Sequence, residues 1–451
     1  MPKAAIVVLV LASAARAADP DVKFEKYQLA NGLTVILSED HRLPEVSVDL
    51  WYHVGAANQT PGRSGFAHLF EHMMFSGSKH VQPDFHSTLS ALGISDYNGS
   101  TNFDRTNYYE VVPSNQLGAA LWIEADRMGY LLDTLDEQKL KVQRDVVSNE
   151  KRQNTENRPY GLAGQRLCDL LFPKPHPYYE CVIGDLADVQ AASLDDIRNF
   201  FRTWYGPQNA SLALVGDFDA KVAKELVEKY FASLPRATAL KPPDIPQPDI
   251  QGVVKEAFAD KLAEEPRLML VWKGVRAFSD EEPAGDVLAD VLGSGKTSRL
   301  YKALVFERQL ASGISAFDAS LGLAGWFQIN VTAAHGHDIP ELLPVVQQIL
   351  AEVKKSGVTA EEVERATRNI IANRLRSVER FGGKADLLNE YQTYLGDPGF
   401  LPRDLARYRA VTPQAVQAFA NKFLLDDRHI ELDVEPQRKA AAAGQPAGGA
   451  R

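Results

Sequence analysis

Five of the 14 residues from Pro235 to Pro248 are proline, at positions 235, 242, 243, 246 and 248. Proline has no amide hydrogen to donate and pushes the residue before it into extended backbone, so neither a helix nor an inner strand runs through such a stretch. Residues 236–249 therefore read as a linker, and the 451-residue chain divides into halves at 18–235 and 250–436. A composition of 45% hydrophobic and 24% charged residues is that of a globular protein able to bury a core, which excludes wholesale disorder and fibrous repeats. Lys plus Arg is 49 against 59 Asp plus Glu, a net charge of −10 with no basic block, which argues against a nucleic-acid partner. Beyond the first 20 residues no apolar run approaches the ~18 residues that cross a bilayer, so no stable membrane span is expected.

Each half reads as strands followed by helices. Phe24–Leu29 and Leu33–Leu37 flank the hairpin signal Asn31-Gly32, and Val46–Trp51 alternates again. Helical spacing follows at 65–75, 114–131 and 136–157, then a buried strand at 211–215 and a helix at 219–233. Past the linker, strands are expected near 267–273, 312–319, 325–332 and 430–434. Helices are expected at 281–293, 297–310, 339–356, 359–376, 383–395 and 412–424. Val54 and Val275 each stand three residues after a tryptophan, Trp51 and Trp272, ahead of a polar turn and a helix, which suggests one unit duplicated at an offset near 221. The fold class is α+β: two homologous α/β-sandwich domains, each an antiparallel-type sheet packed with helices.

The chain begins with Met1-Pro2-Lys3, an apolar run Ala4–Ala12, and the small-x-small triplet Ala15-Arg16-Ala17. That order matches a signal peptide over 1–17 cleaved after Ala17, and so a periplasmic or secreted protein. A short membrane anchor and a mitochondrial presequence are the other readings, although a presequence is Arg-rich and amphipathic. The two cysteines, Cys168 and Cys181, could pair in an oxidising compartment or stay as buried thiols, and spacing does not decide. Residues 437–451 end in AAAAGQPAGGAR, a low-complexity tail expected to be disordered.

The chemistry lies in Gly65-Phe66-Ala67-His68-Leu69-Phe70-Glu71-His72-Met73-Met74-Phe75. On a helix, His68 and His72 are i and i+4, so both imidazoles leave one face and suit a tetrahedral Zn²⁺. Glu71 sits at the edge of that face, placed to act as general base without taking a ligand position. A catalytic zinc normally has three protein ligands, and Glu150 in the long helical pattern at 136–157 is the best candidate for the third.

His-x-x-Glu-His with a distal Glu is the inverted zinc motif, and the sequence resembles the pitrilysin (insulinase-like) metallopeptidases. The flanks Gly65-Phe66-Ala67, Glu150-Lys151-Arg152, Glu156-Asn157-Arg158-Pro159-Tyr160-Gly161, Tyr97-Asn98-Gly99-Ser100-Thr101 and Trp204-Tyr205-Gly206-Pro207-Gln208-Asn209-Ala210 carry the resemblance, which covers about 23–436. It implies His68, His72 and Glu150 as ligands of one zinc per chain, and Glu71 as the base. It also implies a zinc endopeptidase hydrolysing short or unfolded peptides. Asn98, Gly99, Ser100 and Thr101 would be substrate contacts on a family edge strand. The short chain is similar to the bacterial and mitochondrial-processing-type branch, whose members are clamshell halves. Gln143 departs from the family, where many relatives carry a supporting Glu.

Self-sufficient relatives carry an Arg and a Tyr seven residues apart in the second domain. Val305 and Ser312 stand at those positions here, which implies a homologous non-catalytic subunit supplying the pair. A homodimer using Arg308 or Arg299 is the alternative. A non-catalytic pitrilysin-like scaffold or peptide-binding subunit is the second class of function, but it would have no reason to keep both His, Glu71 and Glu150. The second half should bind no metal, because His68, Glu71 and His72 fall on Ala289, Leu292 and Gly293 at the offset of 221. Gly293-Ser294-Gly295-Lys296-Thr297 is an incomplete phosphate loop, with Asp290 where a glycine is required. His53, His80, His86, His335 and His337 lack ligand spacing, and Trp51, Trp122, Trp204 and Trp272 read as core.

Overall fold

The computed structural model describes residues 22–179, 181–238, 245 and 249–437. The expected signal peptide, residues 438–451 of the expected tail, and 239–244 and 246–248 of the linker lie outside the described residues.

Six strands form the first sheet: β1 Glu25–Gln28, β2 Thr34–Glu39, β3 Glu45–Tyr52, β4 Asp96–Thr101, β5 Thr106–Pro113 and β6 Ala210–Gly216. Their spatial order is β1-β2-β6-β3-β5-β4, which leaves β4 at an edge. β2 and β6 run parallel and the other neighbours antiparallel. Alternation along β3 buries Val46, Val48, Leu50 and Tyr52 in the first core and turns Ser47, Asp49 and Trp51 to the opposite face. The second sheet comprises β7 Val253–Asp260, β8 Arg267–Lys273, β9 Ala311–Ser320, β10 Gly325–Ala333 and β11 His429–Pro436, in the order β7-β11-β8-β10-β9. Its sequence of parallel and antiparallel pairings repeats that of β2-β6-β3-β5-β4. β3 and β8 end at Tyr52 and Lys273, and 273 − 52 = 221, the offset expected from the tryptophans.

The helices between the strands are α1 Phe66–Met73, α2 Phe85–Ala91, α3 Leu117–Tyr130, α4 Glu137–Lys151, α5 Gly161–Leu171, α6 Leu186–Ala191, α7 Leu194–Trp204 and α8 Ala220–Phe231. In the second half they are α9 Glu282–Gly293, α10 Ile339–Ser356, α11 Ala360–Glu379, α12 Phe381–Leu395, α13 Leu401–Arg409 and α14 Pro413–Phe423. Two expected helices are modified. The one expected over 136–157 passes after Lys151 into a wider π-type turn, Arg152–Glu156. The one expected over 297–310 contains a π-type turn at Tyr301–Glu307. Pattern reading leaves out β5, β7, α2, α5 to α7 and α13. β7 alternates only between exposed and half-buried along most of its length, and α2 and α6 are too short for a clear period. Among the described residues no helix is long and apolar enough to cross a membrane.

Each sheet buries its second face under a helix from the other half. Ala163, Leu167 and Leu171 of α5 join Met269 and Val271 of β8 and Ile430, Leu432 and Val434 of β11 in one apolar cluster. Phe381, Ala385 and Leu388 of α12 join Ile36 of β2 and Ala213 and Val215 of β6 in another. The exchange has polar anchors. Asn389 of α12 is fully buried, donates to the Asp49 carbonyl at 2.9 Å and accepts from Ser211 Oγ at 2.7 Å. Asp104, in the turn between β4 and β5, accepts from the hydroxyls of Tyr178 (2.5 Å) and Tyr394 (3.1 Å) and from the Gly322 amide (2.8 Å). Cys168 of α5 is disulfide-bonded to Cys181, with Cα atoms 5.8 Å apart.

Candidate metal centre

α1 starts at a tight approach. Gly65, just before it, has φ +77°, and a Cβ there would stand 2.7 Å from the Ile183 carbonyl oxygen and 2.8 Å from Val189 Cγ2. Only glycine takes that backbone without strain. Gln59 Oε1 then accepts from the Ala67 amide at 3.0 Å, satisfying one of the free donors of the first turn. Phe66, Leu69, Phe70 and Met73 bury one face of α1 in the first core. That packing leaves His68 and His72, one turn apart, on another face with Glu71 beside them. α4 is capped by Asp136, whose side chain accepts from the Lys139 amide. It buries Leu140 and Val147, packs against α1, and is tied at its far end by Lys151 Nζ donating to the Gly184 carbonyl at 2.6 Å. Glu150 projects from this last turn toward the two imidazoles.

His68, His72 and Glu150 are the group of metal-ligating side chains found among the described residues. His72 Nε2 lies 3.3 Å from His68 Nε2 and 3.1 Å from Glu150 Oε2, and His68 Nε2 lies 3.5 Å from the same oxygen. Ligand atoms about 2.0–2.1 Å from a tetrahedral zinc stand about 3.3 Å from one another. The three separations match that triangle, so the donor set fits the metal expected from the motif. Burial holds His68 mainly neutral, its pKa pushed down to about 4, and a ligand imidazole must be neutral. The hydrogen bond from His72 holds the Glu150 carboxyl below its ordinary value. Burial raises Glu71 above its ordinary value.

The four expected substrate contacts on β4 divide between two faces. Gly99 and Thr101 face α1. A Cβ on Gly99 would meet the Phe75 ring at 2.9 Å and Glu71 Cγ at 3.2 Å, and Thr101 Oγ1 donates to Glu71 Oε2 at 2.6 Å. Asn98 and Ser100 point the other way, where Arg105 Nη1 donates to the Ser100 carbonyl at 2.9 Å and Asn107 Oδ1 accepts from Ser100 Oγ at 2.7 Å. The family resemblance implies an edge strand at Thr101 but not its bond to Glu71. The available signal was parity, since residues 99 and 101 share a face.

Gln143 Nε2 donates to Ser76 Oγ at 3.0 Å, next to α1. His53 is 3.4 Å from Ser211 Oγ, His80 is 2.5 Å from Asp126, and the exposed His86 stacks on Phe75; none joins the three-residue group. His335 and His337 lie beside Glu265 and Glu341. Ala289, Leu292 and Gly293 lie on α9. Trp51 and Trp272 are buried, and Trp122 and Trp204 half-buried. Val305 packs on the second core, and Ser312 Oγ donates to the Ala333 carbonyl at 2.9 Å. Arg299 is committed to Glu362 by two hydrogen bonds of 2.8 and 2.7 Å, while Arg308 is exposed.

Comparison with known proteins places these residues in context. Residues 34–167 match the family model described as insulinase (peptidase family M16), and residues 191–370 match that of the peptidase M16 inactive domain. The chain is 29% identical over 376 residues to the zinc protease PqqE of Helicobacter pylori, covering 82% of this chain and 83% of the relative. A crystal structure of a protease from Helicobacter pylori superposes with a TM-score of 0.86 at 27% identity, covering 92% of this chain and all of the other. The first half of the periplasmic protease PqqL from Escherichia coli shares the fold, with a TM-score of 0.75 at 19% identity over 93% of each chain.

Proposed function

The chain belongs to the insulinase family of peptidases, M16, and from that premise we propose that it is a zinc metalloendopeptidase hydrolysing short or unfolded peptides, acting as the catalytic half of a two-subunit clamshell. The observation that carries the reading is the triangle of His68 Nε2, His72 Nε2 and Glu150 Oε2, at 3.1–3.5 Å edges, with Glu71 on the adjoining helix position. These three side chains would hold one zinc, which when bound polarises a scissile carbonyl and acidifies water. Glu71, its proton affinity raised by burial, takes the proton from the attacking water on a carboxylate oxygen and returns it to the leaving amine nitrogen. His68, kept neutral by burial, keeps its ring nitrogen available as a donor of electrons. An extended peptide would add to the free edge of β4 through main-chain hydrogen bonds, a mode that reads little side-chain sequence.

The disulfide Cys168–Cys181 and the signal-like start at 1–17 support a periplasmic or secreted location. The apolar Val305, the short Ser312 and the paired Arg299 support a second, homologous subunit as the source of the missing Arg and Tyr donors. The test is to assay the purified chain on unstructured peptides alone, then mixed with a homologous subunit lacking His-x-x-Glu-His. Activity only on mixing supports the heterodimer, full activity alone overturns it, and no zinc-dependent cleavage in either arm overturns the peptidase reading.

A further inference from the structure

We propose that Thr101 is a positioning residue for Glu71: its hydroxyl holds one oxygen of the base and so fixes the carboxylate for proton transfer, rather than contacting substrate. The inference rests on the peptidase reading and goes beyond its ligand and base assignments. Thr101 Oγ1 carries one proton and has two acceptors within reach, Glu71 Oε2 at 2.6 Å and Thr106 Oγ1 at 3.3 Å. The short, charged acceptor takes it. Thr106 spends its own proton on the Val54 carbonyl at 2.9 Å, so it buttresses Thr101 without competing for Glu71. Among the described residues that is the hydrogen bond made to the Glu71 carboxylate, and it engages Oε2, which leaves the other oxygen for chemistry.

The hydroxyl is anchored from behind. Thr101 closes β4 opposite Thr106 of β5, and the turn between them is tied by Asn102, which accepts from the amides of Asp104 (2.7 Å) and Arg105 (2.8 Å). Asp104 in that turn is held by Tyr178, Tyr394 and Gly322, groups packed between the two halves. Gly99, on the same face of β4, also approaches Glu71, and a Cβ there would stand 3.2 Å from Glu71 Cγ. Glu71 therefore has a glycine that leaves room for its stem and a hydrogen-bond donor for its carboxylate, both on the strand proposed to receive the peptide. A side chain so held starts close to its reactive geometry, and the loss of such partners costs about 10–100-fold in activity.

The experiment compares wild type, Thr101→Val, Thr101→Ser, Glu71→Gln and the Thr101→Val/Glu71→Gln double variant, each with the second subunit if activity requires it. Thr101→Val keeps the shape and removes the hydroxyl. It should lower kcat about 10–100-fold, with KM within about threefold and zinc content unchanged. Thr101→Ser should restore kcat to within about threefold of wild type. In the Glu71→Gln background, adding Thr101→Val should change neither residual turnover nor the Kd of a fluorescein-labelled unstructured peptide measured by anisotropy. If the valine variant does not fold, Thr101→Ala takes its place beside the serine rescue. An unchanged kcat, a rise in KM or Kd at constant kcat, or a serine variant as impaired as valine would each overturn the proposal. An inactive wild type, or a fully active Glu71→Gln, would instead overturn the peptidase reading beneath it.

Discussion

Leu167 and Leu388 stand 388 − 167 = 221 residues apart, at equivalent places on the homologous helices α5 and α12, and each is buried against the sheet of the other half. Leu167 packs with Met269, Val271, Ile430 and Leu432, and Leu388 with Ile36, Ala213 and Val215. Neither half is then a closed two-layer unit, because each borrows the helix that covers its sheet's second face.

The first expected consequence is cooperative unfolding. Leu388→Ala should cost about 2–5 kcal/mol, and tryptophan fluorescence and far-ultraviolet circular dichroism should follow one denaturant transition in both wild type and variant. Two resolved transitions would show that the halves are energetically separate.

The second concerns metal. The protein as purified should bind one zinc per chain, since the positions equivalent to the motif carry Ala289, Leu292 and Gly293. His68→Ala should lose zinc and turnover together. Glu71→Gln should keep zinc and lose about 10²–10⁴-fold in kcat. Elemental analysis beside a peptide-cleavage assay reads both, and a stoichiometry of two would contradict the expectation.

The third concerns the disulfide. Cys168 and Cys181 close a short loop, 13 positions from end to end, that joins α5 to α6 beside the exchanged contact. Replacing both by serine should cost about 2–4 kcal/mol, read as a lowered denaturation midpoint. Wild type in reductant should approach the variant.

The fourth is a pH dependence. Among the described residues neither buried carboxyl oxygen of Asp318 on β9 has a hydrogen-bond partner, and one lies 2.2 Å from where a Cβ on Gly285 would stand. Burial, with Asp286 and Glu282 nearby, raises Asp318 well above its ordinary value. Burial likewise raises Asp286 to about 6 and Glu282 to about 7. A raised carboxyl binds its proton more tightly folded than unfolded, so its stabilising contribution is complete below about pH 4 and is lost as pH climbs through the folded value. Stability should therefore fall between pH 5 and pH 8 by about 1–3 kcal/mol. Asp318→Asn, which cannot ionise, should flatten that slope. Urea denaturation at the two pH values checks it, and equal slopes would remove Asp318 as the cause.

The sequence by itself determined what depends on neighbours in the chain. Alternation along Val46–Trp51 marks a half-buried strand, and the i, i+4 spacing of His68 and His72 puts both on one face of a helix, because pleat and helical pitch are local geometry. The prolines of 235–248 interrupt both patterns for an equally local reason. Glu150 could be nominated by residue type and resemblance, but only the packing of α4 on α1 brings its oxygen to 3.1 Å from His72 across 78 positions. Thr101 was legible as an edge-strand residue, whereas its bond to Glu71 requires β4 and α1 to meet. Pairing of Cys168 with Cys181 likewise needed a Cα separation that no spacing supplies. The helix exchange lay furthest from sequence, for a physical reason. The second faces of the two sheets each carry an apolar patch, and Leu167 and Leu388 are chemically the same surface. Which sheet each helix covers is decided by how the chain crosses between the halves, with Asn389 bonded to Asp49 and Asp104 to Tyr394 only once that crossing is made.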